Sequence, residues 1–204
     1  DLDGSENKKN LGANATLAVS LANSKSAALS LKKPLYKNLG KSFSLPYPLM
    51  NIINGGAHAN NALDFQEIMI MPVGANTFSE ALRWGAEIFH HLKLVLSENS
   101  FSTSVGDEGG FSPEINNVEE ALELLSKAIK NAGRNLDNDI NFAIDAASSE
   151  FYKNNFYEMN NGQTKIDTND MIKIWEMLVG EYPIISLEDP LEENDFEGYK
   201  ELTK

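Results

Sequence analysis

Two short apolar runs constrain this chain more than any other feature. Ile140–Asn141–Phe142–Ala143–Ile144 leads into Asp145, and Pro183–Ile184–Ile185–Ser186–Leu187 leads into Glu188, Asp189 and Pro190. Both read as buried strands. Between them lies a helix-period segment, Met171–Val179, with Thr168 or Asp167 as its N-cap, and after the second run another begins at Asp195–Thr203. A strand–helix–strand–helix rhythm implies a parallel sheet or a barrel. Two such strands bring Asp145 and Glu188 out at the same C-terminal end, where barrel enzymes collect their catalytic residues. Converging carboxylates there are hard oxygen ligands of the kind Mg²⁺ takes. Acids at strand ends also cap helices or bind backbone amides, so placement alone leaves both readings open.

Upstream the order is different. Leu49–Ile53, stopped by Asn54–Gly55–Gly56, and Phe65–Met71, stopped by Pro72, are strand-like. Thr77–Leu96 and Val118–Ala132 carry apolar residues at helical spacing, and Gly133 suits the left-handed position after the second. The predicted order is therefore strand, strand, helix, helix, then βα units. Before it, Gly12–Leu31 is a helix rich in alanine, ended by Pro34. Gly40, Ser42, Ser44, Pro46 and Pro48 form a turn-rich connector and a candidate domain boundary. A complete eight-stranded barrel takes ~250 residues, and only about half that many follow the connector.

Composition excludes several classes. A net charge of −13 with no basic cluster beyond lysine pairs argues against a nucleic-acid partner. There is no cysteine, so neither disulfides nor thiol chemistry are available. No apolar run approaches a membrane span, and the acidic Asp1–Leu2–Asp3 opening is unlike a leader, which makes a cytoplasmic location the default. The lack of an initial methionine and the end at Lys204 are expected of a piece of a longer protein.

Two further segments are candidates for chemistry. Val105–Gly106–Asp107–Glu108–Gly109–Gly110 flanks an acidic pair with glycines, which permits a tight turn and close approach of a ligand; a plain surface turn has the same composition. Asn54–Gly55–Gly56–Ala57–His58–Ala59–Asn60–Asn61 is a polar loop suited to a lid. It holds His58, whereas His90 and His91 lie on a helix and do not face the same way. Gln66 and Glu67 follow it and, on a strand, point to opposite faces. Asn154–Asn155 and Asn160–Asn161–Gly162 mark a polar loop after the third strand. No P-loop, dinucleotide fingerprint, zinc-protease motif or nucleophile elbow is present.

Six segments, in order, together resemble the enolase family. They are Asn10–Ala15 with Val19–Ala22, Met50–Ala59, Phe65–Gln66–Glu67, Val105–Gly110, Asp145–Phe151 and Ser186–Pro190. The resemblance spans essentially the whole chain. It implies an α/β fold: the first half of an enolase-type modified TIM barrel, with a strand–strand–helix–helix start and then βα units. Residues 1–42 would be the last helices of a small α+β N-terminal domain with the connector, and residues 43–204 the first half of the barrel.

The resemblance also implies a reaction, the Mg²⁺-dependent interconversion of 2-phosphoglycerate with phosphoenolpyruvate and water, in glycolysis and gluconeogenesis. By motif, Asp145 and Glu188 would be metal ligands, Glu108 the acid that protonates the departing hydroxyl, and Glu67 its partner. His58, Gln66, Glu67 and Glu188 would be substrate contacts. The family's lysine base and third metal carboxylate would lie outside this chain, so the 204 residues alone are expected to be inactive. A homodimer or higher homo-oligomer is expected of the complete protein. Ala146 stands where the family often has cysteine, a harmless exchange. The competing readings are another Mg²⁺-dependent enolising barrel enzyme, such as a sugar-acid dehydratase or racemase, and a non-catalytic binding module.

Overall fold

The computed structural model describes residues 2–59, 61–106 and 108–204. Asn60 of the polar loop and Asp107 of the glycine-flanked pair lie outside the described residues. The chain divides into two compact units, Asp1–Pro46 and Tyr47–Lys204.

The first unit is helical. Gly12, at φ 81°, precedes α1 (Ala13–Ser30), and Pro34 ends the turn that follows it. Pro34 also opens a short helix that the sequence pattern did not suggest, α2 (Leu35–Leu39). A fixed proline φ is pre-organised for a helix start, whereas α1 has already ended at Ser30, where Lys32 at φ 49° turns the chain and Lys33 N closes onto Ala28 O. Of α1 only Ala28 is buried, while Leu17, Val19 and Leu29 are exposed.

The second unit begins with β1 (Met50–Asn54) and β2 (Glu67–Met71), followed by α3 (Phe78–Glu98), α4 (Val118–Asn131) and β3 (Asn141–Asp145). A small meander follows: β4 (Tyr152–Lys153), β5 (Phe156–Met159) and β6 (Thr164–Ile166). Then come α5 (Thr168–Glu181), β7 (Ile184–Glu188) and α6 (Phe196–Leu202). Each helix from α3 onward starts on a side chain that accepts from a backbone N–H three residues on: Thr77, Asn117, Asp167 and Asp195.

The main sheet has the order β1-β2-β3-β7. β1 and β2 are antiparallel, because the loop between them contains no helix to carry the chain back across the sheet. β2 and β3 are antiparallel as well. Two helices, α3 and α4, separate them, and an even number of crossings brings the chain in from the opposite end. One helix, α5, separates β3 from β7, and that pair is parallel, as the βα rhythm requires. The helices cover the sheet with a continuous apolar layer: Ile88, Leu92 and Leu96 of α3, Leu122, Leu125 and Ile129 of α4, and Trp175 and Leu178 of α5. Trp175 stacks on Phe65 with centroids 4.7 Å apart and donates its indole N–H to Pro190 O at 2.9 Å.

The segment read from sequence as a polar loop is instead the meander β4-β5-β6. Its strands are two, four and three residues long, too short for a two-residue alternation to show. The asparagines are its turns. Lys153 pairs with Phe156, and the two residues between them, Asn154 and Asn155, have φ of 53° and 68°. This is a two-residue hairpin turn needing positive φ twice, which asparagine tolerates. Replacing Asn155 by valine should therefore cost about 1–2 kcal/mol in urea unfolding, because a β-branched residue resists that region. Asn155→Gly should leave stability essentially unchanged, and equal losses in the two variants would refute this account of the turn.

Candidate active site

One row of the sheet carries the site. Asn54 is opposite Glu67, Glu67 is opposite Asp145, and Asp145 is opposite Glu188. Cross-strand partners share a face of a sheet, so four polar side chains are delivered in line by backbone pairing alone. The row lies at the C-terminal ends of β1, β3 and β7 and at the N-terminal end of β2. Asp145 and Glu188 are the last residues of their strands rather than the first residues beyond them.

Two loops close over this row. The loop after β1 begins with a 3₁₀ turn, Gly56–His58, which brings His58 Nδ1 to 3.4 Å from Glu67 Oε1. The Gly106–Gly110 turn brings Glu108 Oε2 to 3.5 Å from the same nitrogen. His58 Nδ1 is sealed from solvent yet makes no well-aligned hydrogen bond, and it stands between the two carboxyls at these distances. His58, Glu67 and Glu108 can present ligand atoms within 4.8 Å of one another. Burial first, then the adjacent Glu108 carboxyl and the Asp145 charge, push Glu67 up to about 7, with His58 pulling the other way. A carboxyl in that range holds its proton near neutrality and can release it, as a general acid must.

Asp145 accepts from Ala147 N at 3.0 Å, yet burial and the nearby Asp189 charge raise its pKa. Glu188 is raised by burial and then by Asp145 and Asp189. Among the described residues no lysine or arginine pairs with any of these three acids. Oxygen-only and mutually repelling, these are ligands of the type a hard divalent cation takes, although among the described residues only His58, Glu67 and Glu108 bring ligand atoms within 4.8 Å of one another. The backbone leaves both strands through the left-handed region, at Ala147 (φ 47°) and Asp189 (φ 43°). That conformation costs ~1–2 kcal/mol at a non-glycine residue, and such strain is concentrated at functional sites. The two strand ends are held together there by Ala146 N to Glu188 O and Ser148 N to Asp189 O, both 3.0 Å.

Of the candidates read from sequence, His58, Glu67 and Glu108 are brought into contact, and Asp145 and Glu188 are register partners. Gln66 is placed apart. Its backbone is pinned between Gly55 and Asp145, and it lines a separate cavity of about 390 Å³ with Gly56, Ala146, Ala147 and Glu150. His90 and His91 sit on α3, away from the row. Sequence reasoning did not single out Asp189, nor the buried Asn54 beneath the Glu108 turn. The only sequence signal for Asn54 was its place between a strand-like run and a glycine pair.

With this geometry in view, the comparisons with known proteins are specific. Residues 42–204 match the family model described as enolase, C-terminal TIM barrel domain, and residues 1–39 match the enolase N-terminal domain. The enolase of Corynebacterium kroppenstedtii is 53% identical over 207 residues, an alignment covering 100% of this chain and 48% of that protein. The chain thus spans about half the length of the curated relative it matches. With both of its segments matched, this chain belongs to the enolase family.

Proposed function

We propose that these residues are the acid half, and part of the metal cage, of an enzyme that interconverts 2-phosphoglycerate and phosphoenolpyruvate. The observation that carries this reading is the cluster of His58, Glu67 and Glu108 set directly beside Asp145. We further infer that residues 1–42 complete a small N-terminal domain and that residues 43–204 begin the barrel. The reaction belongs to the complete protein, a cytoplasmic homo-oligomer, in which a lysine base and a third metal carboxylate complete the site.

Glu108, half exposed at its turn, donates the proton that leaves with the substrate hydroxyl. Glu67 stays protonated beside it, which keeps two like charges from facing each other and returns a proton between turnovers. His58 bridges the two carboxyls and contacts substrate. Asp145 and Glu188 would hold magnesium, with Glu188 also facing substrate, while Gln66 lies apart from the row and takes no part in this reading. Bound Mg²⁺ supplies positive charge against the negative charge that builds on a substrate losing a proton beside its carboxylate.

In the complete protein, phosphoenolpyruvate should form from 2-phosphoglycerate only with Mg²⁺ present, and the 204 residues alone should form none. Preference for a sugar acid in a substrate panel would transfer the reading to another enolising enzyme. Glu108→Gln should lower kcat by about 10²–10⁴, the usual worth of a general acid; a kcat within a few-fold of the parent would remove Glu108 from this role. The titration of Glu67 gives a stability test, made in chelator. Its carboxyl moves from 4.5 to about 7 on folding, so the native state binds the extra proton between those values. The resulting stabilisation is complete below about 4.5 and is lost as pH rises through about 7. Thermal melts should show this fall in the parent chain and a flatter profile in Glu67→Gln.

A further inference from the structure

The Glu108 carboxyl is half exposed, and it stands 3.5 Å from His58 Nδ1. Its side chain is not packed into place, so its position depends on the backbone turn that carries it. That turn is closed by Gly106 N donating to Gly110 O at 2.9 Å. The same oxygen takes a second donor from below, Asn54 Nδ2 at 2.8 Å. Asn54 is completely buried, and its Oδ1 accepts from Asn51 Nδ2 at 2.6 Å, so both ends of the carboxamide are engaged. A Cβ on either Gly106 or Gly110 would come within 2.9 Å of Asn54 Nδ2. The glycines thus let the turn settle onto the amide, and the amide fills the space they leave.

The main chain repeats the connection. Asn54 N donates to Phe111 O and Phe111 N to Ile52 O, each at 2.8 Å, which stitches the end of the turn to β1. Asn61 Nδ2 donates to Asn54 O at 3.0 Å and to Pro113 O at 2.8 Å, tying the loop that carries His58 to the same point. Asn54 is also the register partner of Glu67. One buried residue therefore touches the frame of all three members of the cluster, that of Glu108 through its side chain and those of His58 and Glu67 through its main chain.

We propose that Asn54 is a positioning residue: its carboxamide sets the separation of the Glu108 carboxyl from His58 and Glu67. The inference rests on the dehydratase reading above. A merely structural asparagine would affect folding and leave turnover of the folded enzyme alone. A positioning residue affects the chemical step more than substrate binding, because a misplacement of about 1 Å costs up to ~10²-fold in rate.

The test uses the complete enzyme at a temperature well below its melting point, with 2-phosphoglycerate as substrate. Asn54→Asp keeps the shape and the acceptor for Asn51 but sets an oxygen against Gly110 O. Its kcat should fall about ten- to a hundredfold with KM within ~3-fold of the parent. Gly106→Ala presses on the amide from the other side and should give the same split. The double variant should lose much less than the product of the two, since both act through one contact. Unchanged kcat in either folded variant, a loss confined to KM, or multiplicative effects would each overturn the proposal. If Asn54→Asp does not fold, Gly106→Ala decides through its kcat and through a crystal structure, in which Glu108 should stand farther from His58. An inactive parent enzyme would instead sink the functional reading, and this inference with it.

Discussion

Backbone pairing across four strands is the constraint on which the rest of this site depends. Asn54, Glu67, Asp145 and Glu188 come into line because β1, β2, β3 and β7 pair in one register, not because their side chains attract one another. Left to themselves, the carboxylates would separate. A slip of one residue in any strand would turn its acid to the opposite face and bury it against the helices. The apolar residues that alternate with the row guard against this: Ile53, Ile68 and Ile144 are fully buried, and a slipped register would expose them. Hydrophobic burial under α3, α4 and α5 therefore holds together a row of like charges that electrostatics opposes.

The consequence of that crowding is a shift in proton affinity rather than a collapse of the site. Glu67, Asp145 and Glu188 are all raised, each by burial first and by neighbouring acids second. They differ in what relieves them. Glu67 has His58 and the half-exposed Glu108 beside it, and so it suits a shared proton. Asp145 has a backbone N–H and, more weakly, His58, and Glu188 has solvent, so neither is neutralised from within the described residues. In the proposed reading, one row of carboxyls is thus divided into a proton-handling end and a metal-binding end by what closes over each.

Much of the frame was legible because strands and capped helices are local events. The runs ending at Asp145 and Glu188, the helices beginning at Asp167 and Asp195, and the parallel relation of β3 to β7 all follow from short-range patterns. The meander was not, because its strands are shorter than the alternation used to find strands, although the Asn154–Asn155 pair carried the hairpin signal. The position of Glu108 was illegible for another reason. Its meeting with His58 depends on a buried asparagine reaching across two loops, and nothing in Gly106–Gly110 itself distinguishes that turn from one on the surface. Family resemblance supplied a role for Glu108; the hydrogen bonds under its turn supply the physical reason it can fill it.

The overall charge sharpens the division within the site. Under the function proposed above, a chain of net charge −13 would repel its anionic substrate at long range, and the site itself adds several carboxyls to that field. Attraction must then come from positive charge held at the row, where burial weakens screening and a dication outweighs single acids. In that proposal, the lack of a lysine or arginine partner for Asp145, Glu188 and Asp189 among the described residues is useful rather than costly. Had a lysine or arginine neutralised them, the row would be more stable and would have no unpaired carboxylates left for a dication. Protonation of Glu67 serves the same end, since it removes one negative charge from the path of the substrate while keeping the proton at hand. The proposed acid and metal functions are therefore not two sites that happen to adjoin; each would lower the electrostatic cost of the other.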